Sequence, residues 1–310
     1  MRDRRLGARS VPAYIERMNG AGGRGLDASD VELLRCPACH GTLGLTVAPV
    51  AARIDDGVLR CAGCGGEFAI RDGIARFVDE AQISGLEAFM RFIYDHLAVL
   101  HDPAVDYLLP LLQSSSAESL RAGYLRRLAL DALGGRRARI LEVGVGSGAN
   151  LPLLEAALPA DADVEVWGVD LSLGMLAQCR RRLEAAHGGR VRLLHADAHA
   201  LPFRDAAFDR VFHVGGIATY RDPARGLAEM ARVARPGTPI VVVDEQLDPS
   251  GAHSWFHRLA FRAITFYDAE PTAPRPHLPP DATDVREEQV SRFYYCLTFR
   301  MPVTSGVTPA

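Results

Sequence analysis

The sequence predicts an α/β fold, a doubly wound and largely parallel sheet with a small cysteine-held module in front of it. Three observations carry that prediction. Residues Ile140–Leu151, ILEVGVGSGANL, begin as an apolar strand, break into glycines at 144, 146 and 148, and run on into an apolar segment with helical spacing. Further apolar runs follow at intervals: Val164–Val169 before Asp170, Val191–His195 before Asp197, Arg210–Val214, and Pro239–Asp244. Short runs of this kind alternating with helical patterns are the mark of βαβ units. Ahead of them stand two C-x-x-C pairs, Cys36-Pro-Ala-Cys39 and Cys61-Ala-Gly-Cys64.

The chain has 310 residues, enough for one α/β domain with additions or for two domains. Its 48% apolar and 24% charged content is that of a soluble globular protein. No apolar run reaches the ~18–20 residues of a membrane span, so no membrane partner is expected. The start, MRDRRLGARS, has charge but no apolar h-region, and a cytoplasmic location is the default expectation. All 35 basic residues are arginine, which excludes lysine Schiff-base chemistry and a P-loop lysine. A net charge of −3 offers no general attraction for nucleic acid. The exception is local: residues 1–25 hold six arginines and a glycine-rich end, read as a disordered tail over 1–30.

The two C-x-x-C pairs are separated by 21 residues, a spacing that predicts a tetrahedral site of Cys36, Cys39, Cys61 and Cys64 for structural zinc. Leu43–Val47, Val58–Arg60 and Glu67–Arg71 read as short strands around it. So small a segment buries little apolar surface, and metal binding would supply the missing free energy. The pattern CPACHGTL…LRCAGCGGEFAIRDGIARF resembles the zinc ribbons of the Trm112-like family, with Asp72 and Gly73 at the position of their acid-then-glycine ending. Cys179 and Cys296 read as buried small apolar residues.

The glycines alone are ambiguous, because Gly144, Gly146 and Ala149 also satisfy the loose dinucleotide pattern. Glu142, just inside the strand end, would repel a pyrophosphate and attract an amine or sulfonium. Asp170 is placed to accept from ribose hydroxyls, and Asp197-Ala198 suits an adenine. These residues resemble those of the class I S-adenosylmethionine-dependent methyltransferases. Leu201-Pro-Phe-Arg-Asp-Ala-Ala-Phe-Asp-Arg-Val-Phe narrows the resemblance to the ubiquinone/menaquinone-biosynthesis type and related small-molecule enzymes. The helix and turn of Pro223–Gly237 fit it too, although Thr238 replaces a glycine.

The resemblance covers roughly residues 85–302 and implies a seven-stranded sheet in the order 3-2-1-4-5-7-6. It implies S-adenosylmethionine as cofactor, lined by Glu142, Gly144, Gly146, Gly148, Asp170, Leu171, Asp197, Ala198 and His213. Residues 80–135 would form a helical lid, with apolar stripes at Phe89, Phe92, Ile93 and Leu97 and at Leu120, Tyr124, Leu125 and Leu128, broken at Ser114–Ser116. The lid carries Tyr94-Asp95-His96 and His101-Asp102, and Tyr94 either reaches substrate or simply packs. The ribbon is expected over 31–79, the methyltransferase domain over 136–302 and a tail over 303–310.

The strand end His213-Val-Gly-Gly-Ile-Ala-Thr-Tyr220 lies where open α/β sheets bind ligands. His213 is the leading proton acceptor, since imidazole titrates near neutrality. A histidine tied to backbone is the alternative. Candidate catalytic residues are His213, Tyr94 and Tyr220, and Glu245, His253 and His257 complete the pool of acceptor contacts. The strand end lacks the Asn/Asp-Pro-Pro-aromatic tetrad of amino-methylating nucleic-acid enzymes. Arg180–Arg182 cannot share one helix face and read as solvated surface. Ser254–Tyr267 reads as an aromatic amphipathic helix, and Asp284–Ser291 with Phe293–Arg300 as a terminal hairpin. A small-molecule methyltransferase is the expectation. The alternatives are an RNA methyltransferase using the ribbon and the arginine-rich tail, and a non-catalytic cofactor-binding partner protein.

Overall fold

The computed structural model of the chain describes residues 25–46, 53–103, 117–185, 191–268 and 270–303. The arginine-rich stretch up to residue 24, the break at Ser114–Ser116 and the side chains of Leu97, His101 and Asp102 lie outside the described residues.

Among the described residues, the front of the chain forms six short strands: β1 (Leu26–Asp27), β2 (Leu43–Leu45), β3 (Arg53–Ile54), β4 (Gly57–Cys61), β5 (Glu67–Arg71) and β6 (Ile74–Arg76). Seven more follow: β7 (Arg137–Val143), β8 (Asp163–Asp170), β9 (Val191–His195), β10 (Arg210–Val214), β11 (Ile240–Glu245), β12 (Thr283–Gln289) and β13 (Tyr294–Arg300). The helices are α1 (Gly85–Pro103), α2 (Ala117–Leu125), α3 (Leu151–Ala156), α4 (Leu173–Ala185), α5 (Pro223–Val233) and α6 (Trp255–Ile264).

Strands β7 to β11 are parallel, and their inner residues are almost wholly buried, as a sheet covered on both faces requires. β13 enters antiparallel between β11 and β12. The strands β9-β8-β7-β10-β11-β13-β12 lie in the order 3-2-1-4-5-7-6, but the expected seven-stranded extent is corrected: the front module continues the same sheet. The sheet has eleven strands, in the order β12-β13-β11-β10-β7-β8-β9-β6-β5-β4-β2. The join is a parallel pairing of β6 with β9, Ala75 opposite Leu194 and Arg76 opposite His195. Without it β9 would be an edge strand with unpaired N–H and C=O groups.

Burial reinforces the join. One apolar core runs from Leu26, Leu34 and Leu59 in the front module to Trp167, Phe203 and Phe208 behind it. The buried Arg192 of β9 donates to Asp30 at 2.8 Å and to Asp27 at 3.0 Å. Residues 25–30, expected as the end of a tail, are therefore ordered against the sheet.

The helical stretch before β7 is shorter than its periodicity suggests. After α2 the chain tightens into 3-10 turns at Arg126–Leu128 and Leu130–Leu133, with Ala129 left-handed between them. The three arginines of α4 also differ from expectation. Arg180 donates to the Asp72 carbonyl at 2.7 Å and Arg182 to the Ser147 carbonyl at 3.1 Å, so two of the three bind neighbouring backbone.

Candidate active site

A cavity of about 540 Å³ opens at the carboxyl ends of β7, β8, β10 and β11 beneath α1 and α2. That is the region in which open parallel sheets hold ligands, and the volume suits one cofactor with part of a second molecule.

The floor is the glycine loop after β7. The N–H groups of Gly144 and Val145 both donate to the Val169 carbonyl, at 2.8 and 2.9 Å, which turns the chain sharply. Gly144 has φ +72°, and a Cβ there would stand 3.2 Å from the His213 ring. The left-handed backbone favours glycine, and a Cβ would crowd the ring. Gly148 serves a different purpose: a Cβ would meet the Cys179 sulfur at 2.6 Å, so it lets α4 pack and does not line the cavity.

Glu142 also stands behind the wall, fully buried. Its Oε1 accepts from Asn150 at 2.5 Å, and Asn150 accepts from the Tyr124 hydroxyl at 2.5 Å. Tyr124 and Asn150 reach the cavity while the acid beneath them does not. Burial pushes the Glu142 carboxyl up to about 8, against the hydrogen bond from Asn150. Glu142, expected on the cofactor wall, thus lies behind it, beneath Tyr124 of the expected lid stripe and Asn150, which does not stand out in the sequence.

Asp170 lines the cavity and fastens two turns at once. Its carboxylate accepts from Gly146 N–H and from Ser172 N–H, each at 2.8 Å. Leu171 and Ala198 lie beside it on the wall. Ser172 in turn donates to Asp95 of α1 at 2.6 Å, which ties the lid to this strand tip.

Asp197 sits in a buried ionic cluster. One oxygen accepts from the His199 backbone N–H at 2.9 Å and stands 2.7 Å from His199 Nδ1. The other accepts from Arg221, whose guanidinium also donates to Glu87 on α1. Burial alone would raise the Asp197 carboxyl, but the His199 and Arg221 hydrogen bonds outweigh it and hold it at about 2. Neither Arg221 nor Glu87 stands out in the sequence, because 134 residues separate them.

His213 is buried on the cavity wall. Its Nδ1 lies 2.7 Å from the Val143 carbonyl, which only accepts, so Nδ1 carries the proton. Nε2 is then a lone-pair acceptor with no hydrogen-bond partner among the described residues. Burial lowers the His213 pKa and keeps the ring neutral. Tyr220 packs against this ring, its hydroxyl 3.4 Å from Nδ1.

The far end of the cavity is aromatic. Tyr94, Ile264, Phe266, Tyr267 and Tyr294 surround Glu245 at the tip of β11. Tyr267 donates to Glu245 at 2.9 Å and Tyr294 at 3.4 Å. Burial, then the neighbouring Asp244, pushes the Glu245 carboxyl well above the usual carboxylate range. His253 and His257 are not on this wall. His253 is held to the Asp248 carbonyl at 2.7 Å, and His257 packs against Arg292.

The four front cysteines converge. Cys36 and Cys64 place their sulfurs 3.6 Å apart, Cys39 and Cys61 3.5 Å, and all four sulfurs lie within 4.8 Å of one another. A tetrahedron with Zn–S bonds of about 2.3 Å has sulfurs about 3.8 Å apart, so the donor set fits that ion. The N–H groups of Gly63 and Cys64 already point at the Cys61 sulfur, at 3.3 and 3.5 Å, as a thiolate ligand needs.

Parts of the chain are similar to known proteins. The chain is 39% identical over 140 residues to a demethylmenaquinone methyltransferase of Thermus thermophilus, covering 45% of this chain and 62% of that protein. It is 38% identical over 120 residues to a phosphatidylethanolamine N-methyltransferase of Cereibacter sphaeroides, covering 38% and 56%. A solved S-adenosylmethionine-dependent methyltransferase from Aquifex aeolicus is similar with TM-score 0.40 and 17% identity, over 60% of this chain and 94% of that one. The chain spans less than two thirds of the length of both curated relatives. Residues 140–237 match the family model described as a methyltransferase domain and residues 31–73 the one described as Trm112p-like protein, so the chain carries a methyltransferase domain joined to a Trm112p-like segment.

Proposed function

We propose that the cavity holds S-adenosylmethionine at the tips of β7, β8 and β9 and passes its methyl group to a small apolar acceptor at the aromatic end. The carrying observation is that both halves share one space. A turn of glycines and carboxylates, with Gly144, Gly146, Asp170, Leu171, Asp197 and Ala198, faces a nest of aromatic side chains around Glu245.

Each half has a physical task. Asp170 stands on the cavity wall, its carboxylate held in place by two backbone donors, where the ribose hydroxyls of the cofactor would meet it. The sulfonium supplies an electrophilic methyl, so the protein's larger contribution is alignment of acceptor, methyl and sulfur, worth on the order of 7–11 kcal/mol. A base is needed only where the acceptor loses a proton. Nε2 of His213 has the free lone pair for that step, with Tyr220 packed behind the ring and Tyr94 across the cavity. The Cys36, Cys39, Cys61 and Cys64 set holds a structural zinc, since four thiolates leave no open coordination position.

The aromatic lining favours a planar acceptor of the quinol kind, as in the demethylmenaquinone methyltransferases to which the chain is similar. Calorimetry with S-adenosylmethionine tests the donor half. Asp170→Asn should weaken binding about tenfold to a hundredfold, the worth of one charged hydrogen bond. Labelled-methyl transfer to a quinol, to phosphatidylethanolamine and to transfer RNA then tests the acceptor half. Transfer to RNA alone, or donor binding unchanged in Asp170→Asn, overturns this reading.

A further inference from the structure

Large apolar side chains on a protein surface are ordinary when scattered and informative when gathered. Here they are gathered. Among the described residues, eight large apolar side chains are exposed, six of them on two neighbouring helices and a seventh just beyond one of them. Leu86, Phe89 and Phe92 belong to α1, Trp255, Phe256 and Leu259 to α6, and Phe266 lies just beyond it. Phe89 meets Phe266 edge to face with ring centroids 6.5 Å apart, so the two groups form one surface.

The surface adjoins the cavity. Phe266 is exposed on its outer side and is also part of the cavity wall, as are Met90 and Ile93 of α1 and Ile264 of α6.

Charge says what covers it. Helix α6, WFHRLAFRAI, has two arginines and no acid, and both arginines are exposed. At helical spacing Arg258 and Arg262 border the strip of Trp255 and Leu259, while Phe261 points to the core on the other side. The two acids of α1 whose side chains are described are both paired. Glu87 is bound to Arg221, and Asp95 accepts from Ser172. A two-fold contact with a second copy through α6 would set arginine near arginine, whereas anionic headgroups complement them.

We propose that α1 and α6 form a docking face for an anionic lipid surface, with the cavity mouth opening against it. The aromatic side chains enter the boundary between headgroup and acyl chain, and Arg258 and Arg262 lie among the phosphates, in the manner of an in-plane amphipathic helix. The absence of a spanning helix among the described residues does not bear on this arrangement, which needs only one helix face.

The chain supplies its own probe. Of its two tryptophans, Trp167 is buried at 1% exposure and Trp255 is 76% exposed, so a lipid-dependent emission shift reports on α6. The full chain is mixed with vesicles of phosphatidylcholine alone or with added phosphatidylglycerol, in the absence of any methyl donor. The result is thus separate from that of the catalytic reading. The expected outcome is a blue shift, quenching by brominated acyl chains and co-sedimentation, all with the anionic vesicles.

Trp255→Ser with Phe256→Ser should weaken partitioning by about tenfold or more. Arg258→Glu with Arg262→Glu should weaken it by about fivefold or more per arginine and remove the preference for phosphatidylglycerol. Circular dichroism of each variant checks that the fold is kept. Unchanged emission with the chain left in the supernatant overturns the proposal. Equal binding to neutral vesicles overturns it as well, as does a lipid-free dimer that hides Trp255.

Discussion

Nδ1 of His213 lies 2.7 Å from the carbonyl oxygen of Val143, on the neighbouring strand. That contact fixes both the tautomer and the direction of Nε2. Burial lowers the ring's pKa, so the base form dominates already below the ordinary value of 6.5. The rate of methyl transfer should therefore rise with pH only in acid and be level from neutrality upward. His213→Ala should lower kcat by about 10²–10⁴-fold if the acceptor must lose a proton, with donor affinity in calorimetry changed far less. A wild-type rate still climbing well above neutrality points to another proton acceptor, Glu245 being the nearest in chemistry.

Glu142 gives a stability prediction with a definite sign. Its carboxyl is raised from 4.5 to about 8 by burial. Between those values the folded chain keeps a proton that the unfolded chain has released, so stability falls as pH rises through the window. The loss is about 1.4 kcal/mol per pH unit there. Glu142→Gln retains an oxygen for Asn150 and has no proton to lose. Its melting temperature should match that of wild type in acid and exceed it at alkaline pH. Parallel pH profiles for the two proteins would mean that the wild-type carboxyl titrates normally.

The parts legible in the sequence were those coded locally. Apolar runs ending in an acid or a histidine place Asp170, Asp197 and His213 at strand tips, and all three line the cavity. What escaped depends on side-chain direction or on distant pairing. Glu142 and Gly148 belong to the same motif as Gly144 and Gly146, yet one turns under the loop toward Asn150 and the other faces Cys179. Spacing cannot separate those fates, because every residue of a tight turn looks alike until the next helix packs on it. The β6–β9 pairing joins segments more than a hundred residues apart, and neither segment carries a mark of the other. His253 and His257 invited a functional reading by residue type alone, but His253 is held by the Asp248 carbonyl and His257 by Ser254 and Arg292, and neither lines the cavity.

The shared sheet makes a prediction for the cysteine site. A metal-held module on a flexible tether would unfold alone when its metal is taken. Here the ribbon covers the edge of β9 and pairs Arg192 with Asp27 and Asp30. Purified protein should carry one zinc per chain by elemental analysis. Cys36→Ser should release it and lower the melting temperature of the whole chain in one transition, because the exposed edge and the unpaired Arg192 both destabilise the central sheet. A separate low-temperature transition, with the main one unmoved, would show that the two parts are energetically independent.

Arg221 joins the lid to the sheet by holding Glu87 of α1 and Asp197 of the β9 tip at once. Arg221→Met leaves two buried carboxylates within 4.8 Å of each other and of His199. Removing one partner of such a buried cluster costs about 3–5 kcal/mol at neutral pH. Asp197 normally titrates at about 2, below its unfolded value of 3.8. Its stabilisation is therefore present above pH 3.8 and lost as pH falls through about 2. In the variant Asp197 loses a cation that holds its pKa down and takes up a proton more readily, so the gap in melting temperature from wild type should close on acidification. Glu87→Gln should cost less, because Arg221 keeps Asp197. Hydrogen exchange then separates positioning from bulk stability. Amides of α1 over residues 85–96 should exchange faster in Arg221→Met under conditions where β10 and β11 stay protected. Equal exchange on α1 and on those strands would mean that Arg221 only stabilises the fold and does not hold the lid.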